Sequence, residues 1–117
     1  MAHGNFPGIS MSLEPPYWAV IFTSLRTSEE DGPYAQTADE MVAMAATQPG
    51  FLGVESARGA DGVGITVSYW SSTEAIRAWR DVAEHATARR LGRERWYRAY
   101  ALRVAHVERA YEWTKPE

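Results

Sequence analysis

Ser68-Tyr69-Trp70-Ser71-Ser72-Thr73-Glu74-Ala75-Ile76-Arg77-Ala78-Trp79 joins the end of a strand to the start of a helix. Thr66, Ser68 and Trp70 alternate with Ile65, Val67 and Tyr69, the period of two expected where successive side chains point to opposite faces of a sheet. Ser71 followed by Glu74 reads as a capping box: the serine oxygen takes an orphan helix N–H and the glutamate reaches back to the cap. Ile76, Trp79, Val82, Ala83 and Ala86 then fall on one helical face. A half-buried strand running straight into an amphipathic helix is one half of a split βαβ unit.

The other half lies upstream. Tyr17 to Leu25 is a near-continuous apolar run rich in β-forming residues, short enough for a buried strand. After a polar, acidic loop from Arg26 to Gly32, Pro33 suits the first turn of a helix. Tyr34, Thr37, Ala38, Met41, Met44 and Ala45 mark its apolar stripe. Gln48-Pro49-Gly50 stops that helix, because proline lacks a donor and pushes its predecessor out of the helical region. Phe51 to Arg58 reads as a second strand, Gly59-Ala60-Asp61-Gly62 as hairpin turn chemistry, and Val63 to Trp70 as the antiparallel return. Gly92 closes the second helix, and a final strand is predicted from about Tyr97 to Tyr111. The order β-α-β-β-α-β predicts an α+β, ferredoxin-like fold, an antiparallel four-stranded sheet with both helices on one face. Residues 1–16 read as a flexible arm, 17–113 as a single domain and 114–117 as a tail.

Composition narrows the function. A chain of 117 residues buries roughly two-thirds of its unfolded surface, enough for one core. With no cysteine, disulfides, thiol catalysis and cysteine-based metal sites are excluded. A net charge of −3 with mixed signs argues against a nucleic-acid partner. The basic stretch Arg89 to Arg95 is interrupted by Glu94 and reads as a solvated helix end. The glycines from Gly59 to Gly64 lack the strand-to-helix setting of a phosphate loop. No segment approaches the ~20 apolar residues of a membrane span, and the first residues lack the basic and apolar regions of a signal peptide. A cytoplasmic protein with no membrane partner is expected. Both alternating sets of the first strand are apolar: Trp18, Val20 and Phe22 on one side, Ala19, Ile21 and Leu25 on the other. Leu102 and Val104 oppose Val107 and Tyr111 in the last strand in the same way. An uncovered apolar sheet face is rare in monomers, so a homodimer packed sheet to sheet is predicted.

The element order, the entry Gln48-Pro49-Gly50-Phe51-Leu52-Gly53-Val54-Glu55-Ser56 and the Ser-Tyr-Trp-Ser-Ser-x-Glu-Ala-Ile-x-x-Trp junction resemble the antibiotic biosynthesis monooxygenase family over about residues 17–113. The pair Glu84-His85, the turn Gly92-Arg93-Glu94-Arg95-Trp96-Tyr97 and the ending Arg103-Val104-x-x-Val107-Glu108-Arg109-x-Tyr111 are similar to a small bacterial branch of it. The resemblance implies a dimeric α+β barrel and a cofactor-independent monooxygenase acting on a small phenol- or hydroquinone-type aromatic held between sheet and helices. In that chemistry the substrate loses a proton and itself supplies electrons to oxygen. Such a pocket needs aromatic walls, a proton acceptor and exclusion of water.

Of the chain's aromatic residues, Phe22, Phe51, Trp70, Trp96 and Tyr97 are expected to contact the ligand, with His106 on the Leu102/Val104 face. The expected catalytic group is Trp79 as a wall, His85 as the proton acceptor at the mouth, and Glu55, read as sharing a strand face with Phe51 and Gly53. Each also has a plainer reading: core for Trp70 and Trp79, a packed or interface residue for His106, solvated surface for His85 and Glu55, and a charge ladder for Arg58 and Arg103 that would otherwise clamp an anion. Haem-degrading relatives use an asparagine on the first strand, a tryptophan on the second helix and a histidine further along as iron ligand. Trp79 matches the tryptophan, but the only asparagine is Asn5, in the arm, and His85 comes about a turn before Arg89, which occupies the ligand position. Haem degradation is therefore not expected. His3, His85 and His106 are dispersed with no His-x-x-x-His, so no metal is expected either. The rival readings are a non-catalytic dimeric module that binds an apolar ligand or serves a stress response, and an isomerase or decarboxylase on a related barrel.

Overall fold

The computed structural model describes residues 8–27, 31–89 and 97–116, with the side chains of 31–35, 37 and 86–89 left aside. Its elements follow the predicted order: β1 (Tyr17–Arg26), α1 (Asp31–Ala45), β2 (Phe51–Arg58), β3 (Val63–Trp70), α2 (Thr73–Arg89) and β4 (Tyr97–Val107). The strands form one antiparallel sheet in the order β2-β3-β1-β4. The apolar run of β1 takes an inner position, where both of its edges are paired. No helix among the described residues is long and apolar enough to cross a membrane.

Register decides which side chains share a face. Trp18 pairs with Trp70 on one side and His106 on the other, and Phe22 pairs with Thr66 and Leu102. This face carries the helices: Val20 and Trp70 form the core with Ala45 of α1, and Phe51, Ala75, Ile76 and Trp79 pack against it. Trp70 has 0% of its surface exposed, and its indole N–H donates to Ser68 Oγ at 2.9 Å. Truncating so large a buried ring costs about 3–5 kcal/mol. The opposite face carries Tyr17, Ala19 and Ile21 beside Tyr69, Val67 and Val107.

Gly50 fixes the join between α1 and β2. Its φ of +87° disfavours any side chain, and a Cβ there would lie 2.6 Å from the Cβ of Ala75 at the start of α2. Its carbonyl accepts from the Ser71 amide at 2.8 Å, tying the two helix–strand junctions together.

Four local features depart from the sequence reading. The cap of α2 is Ser72, whose Oγ accepts from the Ala75 amide at 3.1 Å; Glu74 accepts from the Thr73 hydroxyl at 3.0 Å. The serine pair shifts the cap by one residue, because Ser71 is held against Gly50. The last strand ends at Val107 instead of Tyr111, since Val107 already pairs with Tyr17, the first residue of β1. Pro15 and Pro16 before it offer no N–H to extend the ladder. The described part of the N-terminal arm is attached: the Ser10 amide donates to Glu55 at 3.0 Å, the Ser10 hydroxyl to the Val54 carbonyl at 3.2 Å and the Ser12 amide to Glu112 at 2.6 Å. Finally, β2 carries a bulge. Phe51 pairs with Trp70 but Gly53 with Tyr69, so Leu52 is the extra residue and the two flanking residues fall on opposite faces.

Candidate functional site

The register aligns four rings across the helix-bearing face: His106 of β4, Trp18 of β1, Trp70 of β3 and Phe51 of β2. The Trp18 and His106 centroids lie 4.4 Å apart with planes inclined by 33°. Phe51 meets Trp70 edge-to-face at 5.5 Å, and Trp79 of α2 stacks on Trp70 at 6.1 Å and 22°. A second cluster lies toward the other end of β4, where Phe22 sits 5.5 Å from Tyr97 and 5.3 Å from Tyr100. Tyr97 joins this face because the register of β1 and β4 shifts between Leu25 and Arg26.

The helices cover only part of this face. Described helical side chains pack on Val20 and Trp70, whereas Tyr100, Leu102 and Val104 remain 43%, 52% and 47% exposed. The result is an apolar shelf along β4, bounded by His106 and Trp18 at one end and by Phe22, Tyr97 and Tyr100 at the other. Aromatic pairs of these geometries add about 0.5–1.5 kcal/mol beyond area burial and order the two ends of the shelf; the aliphatic side chains between them leave an apolar surface open to a flat ligand.

Of the expected ligand-contacting residues, Phe22, Tyr97 and His106 border this shelf. Phe51 and Trp70 share the face but belong to the core, and Trp70, with no exposed surface, acts by supporting Trp79. Trp96 lies outside the described residues. Trp79 is half-buried against the core. His85 is exposed on α2, nine residues after Ile76 and so about 180° around the helix from that core contact.

The expectation that Glu55 shares a face with Phe51 does not hold. The bulge at Leu52 turns it to the opposite side, in register with Val67 and beside Tyr69. There the Tyr69 hydroxyl donates to it at 2.5 Å and the Ser10 amide at 3.0 Å. Tyr17 packs edge-to-face on Tyr69 at 5.6 Å. Burial, then the hydrogen bond to Glu55 and the charge of that carboxylate, push the Tyr69 phenol well above its ordinary 10.0. That cluster anchors the arm. Arg58 is likewise engaged: it lies over Gly64 and donates to the Gly62 carbonyl at 2.6 Å and Ser24 Oγ at 3.3 Å.

Sequence reasoning missed Trp18, Tyr100, Leu102 and Val104 as parts of one surface. Their shared parity was legible strand by strand, but the β1–β4 pairing that puts them side by side was not.

Comparison with known proteins agrees with this architecture. A family model described as antibiotic biosynthesis monooxygenase matches residues 19–91. The chain is 58% identical over 101 residues to the uncharacterized protein YqjZ of Bacillus subtilis (strain 168), covering 86% of this chain and 88% of that one. Among solved structures, SnoaB, a cofactor-independent oxygenase from Streptomyces nogalater, matches with a TM-score of 0.58 at 18% identity, over 88% of this chain and 100% of its own. The heme-degrading protein Rv3592 from Mycobacterium tuberculosis matches with a TM-score of 0.52 at 21% identity, over 84% and 99%. At such identities the likeness to these two structures is one of fold.

Proposed function

Because the chain belongs to the antibiotic biosynthesis monooxygenase family, we propose that it is a homodimeric, cofactor-independent monooxygenase acting on a small phenol- or hydroquinone-type aromatic. The observation that carries this reading is the exposed shelf of aromatic and aliphatic side chains along β4, on the helix-bearing face of the sheet. Its exposed aromatic and aliphatic side chains offer the apolar chemistry that receives a flat ring.

For a phenol with a free para position the reaction balances without an added cofactor. The hydroxyl proton leaves, and the electron-rich phenolate ring reacts with oxygen at the para carbon. One oxygen atom becomes a second carbonyl; the other leaves as water, carrying the hydrogens of the former O–H and C–H. The protein's part is to hold the ring, accept the proton and exclude water. Likeness in fold to SnoaB supports the reading. The rival of a passive ligand binder uses the same shelf without turnover.

Oxygen uptake by purified, chelator-treated protein with a panel of naphthols and other phenols whose para position is free tests it. Uptake should scale with protein concentration and fall at least ten-fold in Leu102→Arg, which places a charge on the shelf. Ring binding with no oxygen uptake across the panel would leave the binder.

A further inference from the structure

The proposed reaction requires a proton acceptor beside the shelf, and the sequence offered His85 and Glu55 for catalysis and His106 as a ligand contact. Glu55 is on the other face of the sheet, already accepting from Tyr69 and Ser10. His85 is exposed on α2, about 180° around the helix from Ile76 and about 120° from Trp79, both of which pack against the core. We infer that His106 takes the proton from a phenolic ligand lying on β4. This inference rests on reading the shelf as a phenol site, and it names the group that acts there.

Three observations carry it. His106 is in register with Trp18 on the helix-bearing face, and its ring lies against the indole at 4.4 Å and 33°. Stacking engages the face of an imidazole and leaves its in-plane nitrogens available for hydrogen bonds. The residue is also exposed, as are Val104 and Leu102 beside it. Val104 precedes it by two residues, about 6.7 Å along the strand, comparable with the length of a phenol. A ring seated over Val104 and Leu102 therefore brings its hydroxyl to the imidazole.

The step needs nothing further. The neutral imidazole takes the hydroxyl proton, the O–H pair remains on oxygen, and imidazolium and phenolate form side by side. Imidazole suits this because it is the ordinary side chain that changes charge between pH 5 and 8. A positioned base contributes about 10²–10⁴-fold in rate. Trp18 then has a positioning role, holding the ring that does the transfer.

The test uses 4-nitrophenol, which is yellow only when deprotonated, at a pH below its own pKa. Wild-type protein should bind it as the yellow phenolate. His106→Gln should bind it colourless, with at least ten-fold less phenolate. His106→Phe keeps a ring against Trp18 but has no nitrogen, and should also bind the probe colourless. Equal colour in His106→Phe and wild type overturns the inference. So does wild-type protein that leaves the probe protonated or does not bind it, or loss of colour in His85→Gln but not in His106→Gln. The probe reads proton transfer without oxygen chemistry, so the two claims separate. Colour dependent on His106 without oxygen uptake on any phenol rejects the oxygenase and keeps the base. Undiminished oxygen uptake in His106→Gln keeps the oxygenase and rejects the base.

Discussion

Tyr69 and Glu55 show how a single side chain's setting can be read only in three dimensions. The sequence places Glu55 two residues from Gly53 and four from Phe51, and simple alternation puts all three on one face. The bulge at Leu52 breaks that alternation, so Glu55 meets Tyr69 and the arm instead. Because Tyr69 keeps its proton in the folded protein beyond the pH at which it would lose it unfolded, the unfolded state binds fewer protons in that window. Its contribution is complete below pH 10.0, the ordinary tyrosine value, and is lost as pH rises above it. Tyr69→Phe should cost about 1 kcal/mol at neutral pH through the lost hydrogen bond. It should also lose less stability than wild type between neutral pH and the alkaline range. Denaturant melts at a neutral and an alkaline pH measure this; parallel losses in the two proteins would falsify the assignment. The core placement of Trp70, with Trp79 packed against it, was by contrast legible as the plainer of the two readings for each. The spacing of apolar residues on α2 and the alternation in β3 fixed their sides without knowledge of strand order.

Strands, helices and turns were mostly legible because each carries its own local signal. Phe51–Arg58 and Val63–Trp70 agree with their predicted limits; proline, glycine and the hairpin turn bound them from both sides. The misplaced details are those settled by contact between elements. Ser71 and Ser72 are equally good caps by residue type, and the choice falls to Ser72 because the Ser71 amide is bonded to Gly50. Ser72→Ala should therefore destabilise by about 1 kcal/mol, while Ser71→Ala should stay within about 0.5 kcal/mol of wild type. Thermal unfolding of the two variants decides it, and the reverse order would restore the capping box read from sequence. The end of β4 is a second case. The chain beyond Val107 has strand-like composition, but its neighbour β1 has run out, and no local pattern in β4 reports that.

At the scale of the whole molecule, the helices cover part of one face of the sheet, and the opposite face is also only partly covered. Val63 and Ile65 on the open face are exposed, and so are Tyr111 and Trp113 beyond β4. A second copy covering these side chains is the arrangement we propose, with roughly 1,500 Å² or more buried in total. Light scattering at micromolar concentration should then give about 26 kDa, twice the 13.1 kDa of the chain; a mass of one chain would contradict it. Fold class and family were legible from the element order together with the two helix–strand junctions, which carry local signals of their own. The shelf was legible only in part, since it is assembled from β1 and β4, far apart in sequence. Monooxygenation is tested most directly by supplying isotopically heavy molecular oxygen to the chelator-treated protein with a naphthol whose para position is free. The expected products are a quinone carrying one heavy oxygen atom and water carrying the other, formed at a rate proportional to protein. Quinone without the heavy atom, or the same slow labelling in buffer alone, would contradict it.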